Sequence, residues 1–171
     1  DVLFFTNKGR VFQIKMYDLP EGRRATKGKS LMNYVSLAAE EKVTSLLAMP
    51  KEIKAASELS LLMVTEQGVA KKVKAEAFHD VRRSGLIAIS LAAGDKLISV
   101  SFVTKGDSVV IATAKGQSIR FKESDIREMG RGAAGVRAIK LGKGDKVITA
   151  QVVKKEAKQA ELLVISANGF G

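Results

Sequence analysis

Short apolar runs recur along the chain, each closed by a four-residue turn that ends in glycine. Val2-Leu3-Phe4-Phe5 leads into Thr6-Asn7-Lys8-Gly9, and Leu61-Leu62-Met63-Val64 into Thr65-Glu66-Gln67-Gly68. Val109-Val110-Ile111-Ala112 leads into Thr113-Ala114-Lys115-Gly116, and Leu162-Leu163-Val164-Ile165 into Ser166-Ala167-Asn168-Gly169. Glycine tolerates the positive φ such a turn requires at its end, so each unit predicts a strand, a tight turn and a return strand. Four copies of one hairpin, roughly fifty residues apart, identify an internal repeat.

Further anchors keep the same order in each repeat. An apolar residue followed by lysine comes shortly after the first three turn glycines: Ile14-Lys15, Val73-Lys74 and Phe121-Lys122. Later come Leu37…Lys42-Val43, Leu91…Lys96-Leu97 and Leu141…Lys146-Val147, preceded by Gly28, Gly85 and Gly135. The pattern predicts strands over 2–5, 10–16, 31–37 and 43–49, then 59–64, 69–74, 86–91 and 97–103, then 108–112, 117–122, 135–141 and 147–153. Charged linkers fall at 50–58, where Lys51 to Leu59 could form a short helical turn, and at 154–160. The predicted class is all-β, a single domain of propeller-like four-stranded blades at about 1–50, 59–103 and 108–153, with a further blade opening at 161–171. A propeller closes with about four to eight blades, so this set is incomplete and both ends read as cut from something longer.

Composition narrows the class of function. With 46% hydrophobic residues in 171, the chain can bury a core. No apolar run approaches the roughly 20 residues of a membrane helix. The first residues carry no basic segment or cleavage pattern of a signal peptide. The lack of cysteine excludes disulfides and thiolate metal sites. Charge changes the picture most: 29 Lys and Arg against 18 Asp and Glu give +11, a field that favours a polyanionic partner.

Motifs with a chemical look do not hold. Gly130-Arg131-Gly132-Ala133-Ala134-Gly135 fits G-x-G-x-x-G, but the repeat predicts a strand after it, where a dinucleotide site needs a helix. Gly28-Lys29-Ser30 lacks the spacing of a phosphate loop. His79 is the sole histidine, beside Asp80 in a polar connection, so no zinc set exists. Asp18, Glu76 and Asp125 recur in loops as turn residues, and nothing activates Tyr17 or Tyr34 as a nucleophile. No catalytic constellation, metal site or cofactor site is expected.

Positive charge, in contrast, recurs at matching positions. Strand alternation places Ile14, Val73 and Phe121 on a buried face, with Lys15, Lys72, Lys74, Arg120 and Lys122 on the other. The turns add Lys8, Arg10 and Lys115. The connections add Arg23, Arg24, Lys27 and Lys29, then Arg82 and Arg83, then Arg127, Arg131 and Arg137. Equivalent residues occupy equivalent places in a repeat, so these cations form a stripe across the blades. Aromatic residues are only 5%, too few to stack on unpaired bases, which points to duplex DNA held through phosphates. Lysines that merely guard exposed strand edges are the plainer alternative, and they leave the connection arginines unexplained.

The run Phe121-Lys122-Glu123-Ser124-Asp125-Ile126-Arg127, continued by Gly135 to Val147, closely resembles the C-terminal domain of DNA gyrase A subunits. Asn7-Lys8-Gly9-Arg10-Val11, Leu31 to Leu37 and Ala167 to Gly171 fit it too. The related topoisomerase IV subunit shares the blade pattern but less of this wording. The resemblance implies a six-bladed β-pinwheel, a propeller variant with strands exchanged between blades, whose basic rim wraps duplex DNA in support of negative supercoiling. It implies no catalysis in this portion; ATP, magnesium and the cleaving tyrosine belong elsewhere in the parent enzyme. The implied partners are duplex DNA, the ATPase (B-type) subunit, and the rest of the A-type subunit, in a bacterial cytoplasm. Gly22-Arg23-Arg24-Ala25-Thr26-Lys27-Gly28 echoes the family's Q-R-R-G-G-K-G box without its glutamine and central glycines. A topoisomerase IV equivalent and a propeller-type protein scaffold are the alternatives.

Overall fold

The computed structural model describes residues 1–25, 27–50, 59–82, 84–157, 159–161 and 163–169. The helical turn expected near Lys51 lies outside the described residues. Eleven strands are formed among those residues: β1 (Val2–Thr6), β2 (Arg10–Ile14), β3 (Val43–Ala48), β4 (Ser60–Thr65), β5 (Val69–Lys74) and β6 (Leu86–Ile87), then β7 (Leu97–Val103), β8 (Ser108–Thr113), β9 (Ser118–Lys122), β10 (Val136–Arg137) and β11 (Val147–Val153). The only helical pieces among them are single 3-10 turns, so the class is all-β.

The hairpins form locally. Gly9, Gly68, Gly116 and Gly169 adopt φ of 73°, 81°, 81° and 80°. Each glycine N–H returns to the carbonyl of the residue three earlier, Thr6, Thr65, Thr113 or Ser166, at 2.9 to 3.1 Å. In the first three turns the threonine hydroxyl also accepts the N–H after the glycine, at 3.4, 3.2 and 3.1 Å. That second bond explains why threonine opens these turns: it satisfies an amide the turn leaves unpaired.

The third strands of the second and third repeats join the sheet of the repeat before, the exchange that the resemblance implies and the repeat pattern alone does not show. The sheet orders are β3-β1-β2-β6, β10-β5-β4-β7 and β11-β8-β9. β6, from the second repeat, pairs with β2 of the first, and β10 of the third pairs with β5 of the second. The exchange runs through the turn glycines, because Gly9 O accepts Ala88 N and Ile89 N at 2.8 and 3.3 Å. Gly68 O accepts Ala138 N and Ile139 N in the same way, at 2.9 and 3.3 Å. Folding over that corner ends each ladder after two residues, so 86–91 and 135–141 are shorter strands than predicted. The equivalent segment 31–37 forms a 3-10 turn at Leu31–Asn33 instead of a strand, and it pairs with no sheet among the described residues. Residues 163–166 likewise form no strand.

The glycine preceding this segment also differs from the predicted alignment. Gly85 and Gly135 have φ of 81° and 99°, and a Cβ on either would lie 2.7 Å from the Phe12 ring or from Ala70 O. Gly28 has open space around it; Leu31 holds their place in the first repeat.

The sheets stack, and the cores lie between them. Leu3, Phe5 and Val11 of the first sheet meet Leu61, Met63 and Val73 of the second. Leu62 and Val64, on the opposite face of β4, meet Val109 and Ile111 of the third sheet. A further cluster of Val2, Phe4, Phe12 and Ile14 with Val35 covers the outer face of the first sheet. β7 packs against both β3 and β11, so these strands form one converging side and the opposite sheet edges form the rim.

Candidate nucleic-acid interface

The rim is built the same way three times. After β2, β5 and β9, Lys15, Lys74 and Lys122 lead into 3-10 turns at Met16–Asp18, Ala75–Phe78 and Glu123–Asp125. All three lysines are exposed, and Ile14 and Val73 before two of them are buried. Phe121 is half-buried, because no strand lies outside β9 among the described residues to cover it. Lys15 pairs with Asp1 at 2.9 Å, an exposed contact that leaves the side chain at the surface.

The connections carry further exposed cations. Arg23, Arg24, Lys27 and Lys29 are exposed in the first, Arg82 in the second, and Arg127 and Arg137 in the third. Arg83 lies outside the described residues. Lys8 and Arg120 are also exposed, with Arg120 reaching Ser108 Oγ at 3.5 Å. Where the second and third repeats meet, Lys74, Lys105 and Arg127 border a recess of about 420 Å³. A neighbouring recess of about 410 Å³ is bordered by Arg127 and Arg137. Lys105 escapes a sequence reading because it belongs to none of the repeated anchors.

Three predicted site residues have structural employment. Lys72 is buried, contrary to the alternation expected of its strand: its ammonium pairs with the Glu123 carboxylate and donates to Glu123 O at 3.1 Å. β5 is covered on both faces, so alternation there separates two cores and not core from solvent. Arg10 is half-buried, pairing with Glu41 at 2.9 Å, donating to Ser84 O at 2.7 Å and stacking 4.6 Å above the Phe12 ring. Lys115, exposed on the third turn, donates to Lys143 O at 2.7 Å.

Two sets of residues went unread in the sequence. One is Glu41, Asp95 and Asp145, each just before the anchor lysine. Glu41 accepts the Thr6 hydroxyl at 2.6 Å; Asp95 accepts Gln67 N at 2.9 Å; Asp145 accepts Lys115 N at 3.0 Å. They fasten the hairpin tips, and the signal was an acidic residue at one repeat position. The other is Lys71, fully buried, whose Nζ donates to Ala88 O at 2.8 Å and to Arg131 O. Burial first, then the Arg131 guanidinium, lowers its pKa to about 8. Arg131 itself is half-buried in Gly130–Gly135, and this loop runs into strand β10, not a helix. Among the described residues no three acidic or histidine side chains gather as a metal site, and no helix is long and apolar enough to cross a membrane.

Comparison with known proteins agrees with this architecture. The family profile described as "DNA gyrase C-terminal domain, beta-propeller" matches residues 1–48, 59–104 and 107–154, one segment per repeat. The chain is 40% identical over 170 residues to the DNA gyrase A subunit of Lawsonia intracellularis, covering 99% of the chain and 20% of that protein. It is 35% identical over 170 residues to the DNA gyrase A subunit of Escherichia coli, covering 99% and 19%. The C-terminal domain of a DNA topoisomerase IV superposes with a TM-score of 0.81 at 25% identity, over 90% of this chain and 47% of that one. A DNA gyrase A C-terminal domain superposes with 0.72 at 23% identity, over 90% and 48%. The chain thus spans about a fifth of the length of its gyrase relatives.

Proposed function

The chain belongs to the family of DNA gyrase C-terminal domains, and from that premise we propose that it is a non-catalytic module that binds and wraps duplex DNA. The observation that carries the reading is the rim lysine, exposed at one equivalent corner of all three repeats, with exposed arginines in the connections beside it. A +11 chain with cations on the outer edge of stacked sheets suits a bent polyanion. Counterion release drives such binding and carries no sequence information. Bending a duplex by tens of degrees costs on the order of 1–6 kcal/mol, which several phosphate contacts can offset. Lys72 is excluded from the contacting set by its burial, and Arg10 acts first as a structural residue.

In the parent protein this module would give strand passage its handedness and support negative supercoiling, while cleavage, ATP and magnesium belong to other parts. Its partners would be chromosomal DNA of a bacterial cytoplasm, the ATPase subunit, and the remainder of the A-type subunit. The equivalent domain of a topoisomerase IV subunit is a second reading, supported by the fold likeness above; the 35% and 40% identities to gyrase A subunits over nearly the whole chain support the first.

A titration of duplex DNA at several salt concentrations tests the proposal. If about six phosphates are neutralised, log K against log salt slopes near −5. Replacing Arg23, Arg24, Lys27 and Lys29 together by alanine should flatten that slope by up to about 0.9 per lost contact. A salt-independent affinity, or strong preference for one sequence, would sink the wrapping reading in favour of a protein scaffold.

A further inference from the structure

Lys71 stands where the other two repeats carry Phe12 and Ile119, each third after its turn glycine. Phe12 and Lys71 are both fully buried. An apolar side chain therefore meets the demand of the fold at this register, and an ammonium there adds a desolvation cost. The lysine gains a hold on the next repeat. Its Nζ grips Arg131 O, while Gly132 O accepts Ser90 Oγ at 2.9 Å and Ala133 O accepts Ser90 N at 3.3 Å. Three successive carbonyls of the glycine-rich loop are thus held against the second repeat. Met129 N, bonded to Lys72 O at 2.8 Å, fixes the start of the loop, and the β10–β5 pairing fixes its end.

We propose that Lys71 is a positioning residue of the DNA interface: by holding the Arg131 carbonyl it fixes the Gly130–Gly135 loop so that Arg131, between Arg127 and Arg137, meets the phosphate backbone. This rests on the DNA-binding reading above. The charged groups around Lys71 are Arg131 across from it and, next along its strand, Lys72 with its partner Glu123. Met63, opposite on β4, and Ala88 bring no charge. A phosphate on Arg131 offsets the repulsion that helps hold the Lys71 pKa near 8. Binding then takes up a proton, and affinity falls as pH rises through that value.

The experiment is a duplex-DNA titration at about 50 mM salt, at pH 7 and 9, with the wild-type chain, Lys71→Met, Arg131→Ala and the double variant, alongside thermal melting. Lys71→Met should melt cooperatively, since its register accepts apolar residues, yet bind about fivefold more weakly at pH 7. It should add little to the loss in the Arg131→Ala background. Wild-type affinity should fall between pH 7 and 9, and that of Lys71→Met should stay flat. Equal binding by Lys71→Met and wild type, or losses that simply add in the double variant, would overturn the inference. Should Lys71→Met fail to fold, the other arms decide. A wild-type fall with pH that Arg131→Ala abolishes supports the inference, and a flat wild-type profile overturns it. No wild-type binding at pH 7 defeats the DNA-binding reading itself, and the inference with it.

Discussion

β4 and β8 begin equivalent hairpins and sit in different surroundings. β4 reads Ser60-Leu61-Leu62-Met63-Val64-Thr65, and all six residues are buried. β8 reads Ser108-Val109-Val110-Ile111-Ala112-Thr113, with buried and half-buried residues alternating. The turns that follow share a φ of 81° at Gly68 and Gly116. Yet a Cβ on Gly68 would come within 2.8 Å of Ile139 Cγ2, whereas one on Gly116 would meet open space. The difference is position in the stack. The second sheet has a neighbour on each face and receives a strand from the next repeat; the third has one neighbouring sheet and receives none among the described residues. Hairpin geometry is thus a local property, and burial is set by the layer.

Substitutions at matched positions can break that comparison. Leu62→Ala should cost about 3 kcal/mol and Val110→Ala about 1, because the first leaves a cavity between two sheets and the second trims a half-buried face. Urea unfolding midpoints check this; equal costs would mean the layers are energetically alike. Next in size, Gly68→Ala combines an unfavourable left-handed backbone with a clash and should cost about 3 kcal/mol. Gly116→Ala carries the backbone term alone, about 1 kcal/mol.

A subtler contrast concerns acid. Asp107, at the head of β8, accepts Lys154 Nζ at 2.8 Å, Thr104 N at 2.9 Å and Lys155 N at 3.1 Å. Burial pushes its pKa up, but these donors together hold it below the usual carboxylate value. A depressed folded pKa contributes stability above the unfolded value of about 3.9 and loses it as pH falls through the folded one. The equivalent residue before β4 is Leu59. Hydrogen exchange at falling pH should therefore show β8 and β11 loosening before β4, and Asp107→Asn should remove that order. The smallest effect is expected at the rim: Lys74→Ala should change folding stability by less than about 0.5 kcal/mol.

The rim was legible because its signal is local and repeated. Lys15, Lys74 and Lys122 follow their turns at a fixed distance, so three independent copies fix the register. Lys72 misled because strand alternation says which residues share a face and not whether that face meets water. In β5 both faces are covered, so Lys72 lies with its partner Glu123 inside. Lys71 gave no signal at all, since its partners are backbone carbonyls of Ala88 and Arg131, distant in sequence and anonymous in type.

What the sequence determined by itself is the set of hairpins and their repetition. A glycine at positive φ, with a threonine whose hydroxyl closes the turn, requires only neighbours a few residues away. What the repeat pattern leaves open, and the tertiary structure decides, is which sheet the third segments of the second and third repeats join. Leu86–Ile87 and Val136–Arg137 could add to the outer strand of their own repeat or of the one before, and the apolar pattern is the same for both. The choice falls to contacts between repeats: the Gly9 and Gly68 carbonyls that receive the crossing amides, and Gly85 and Gly135, which fit against Phe12 and Ala70 only because they lack a Cβ.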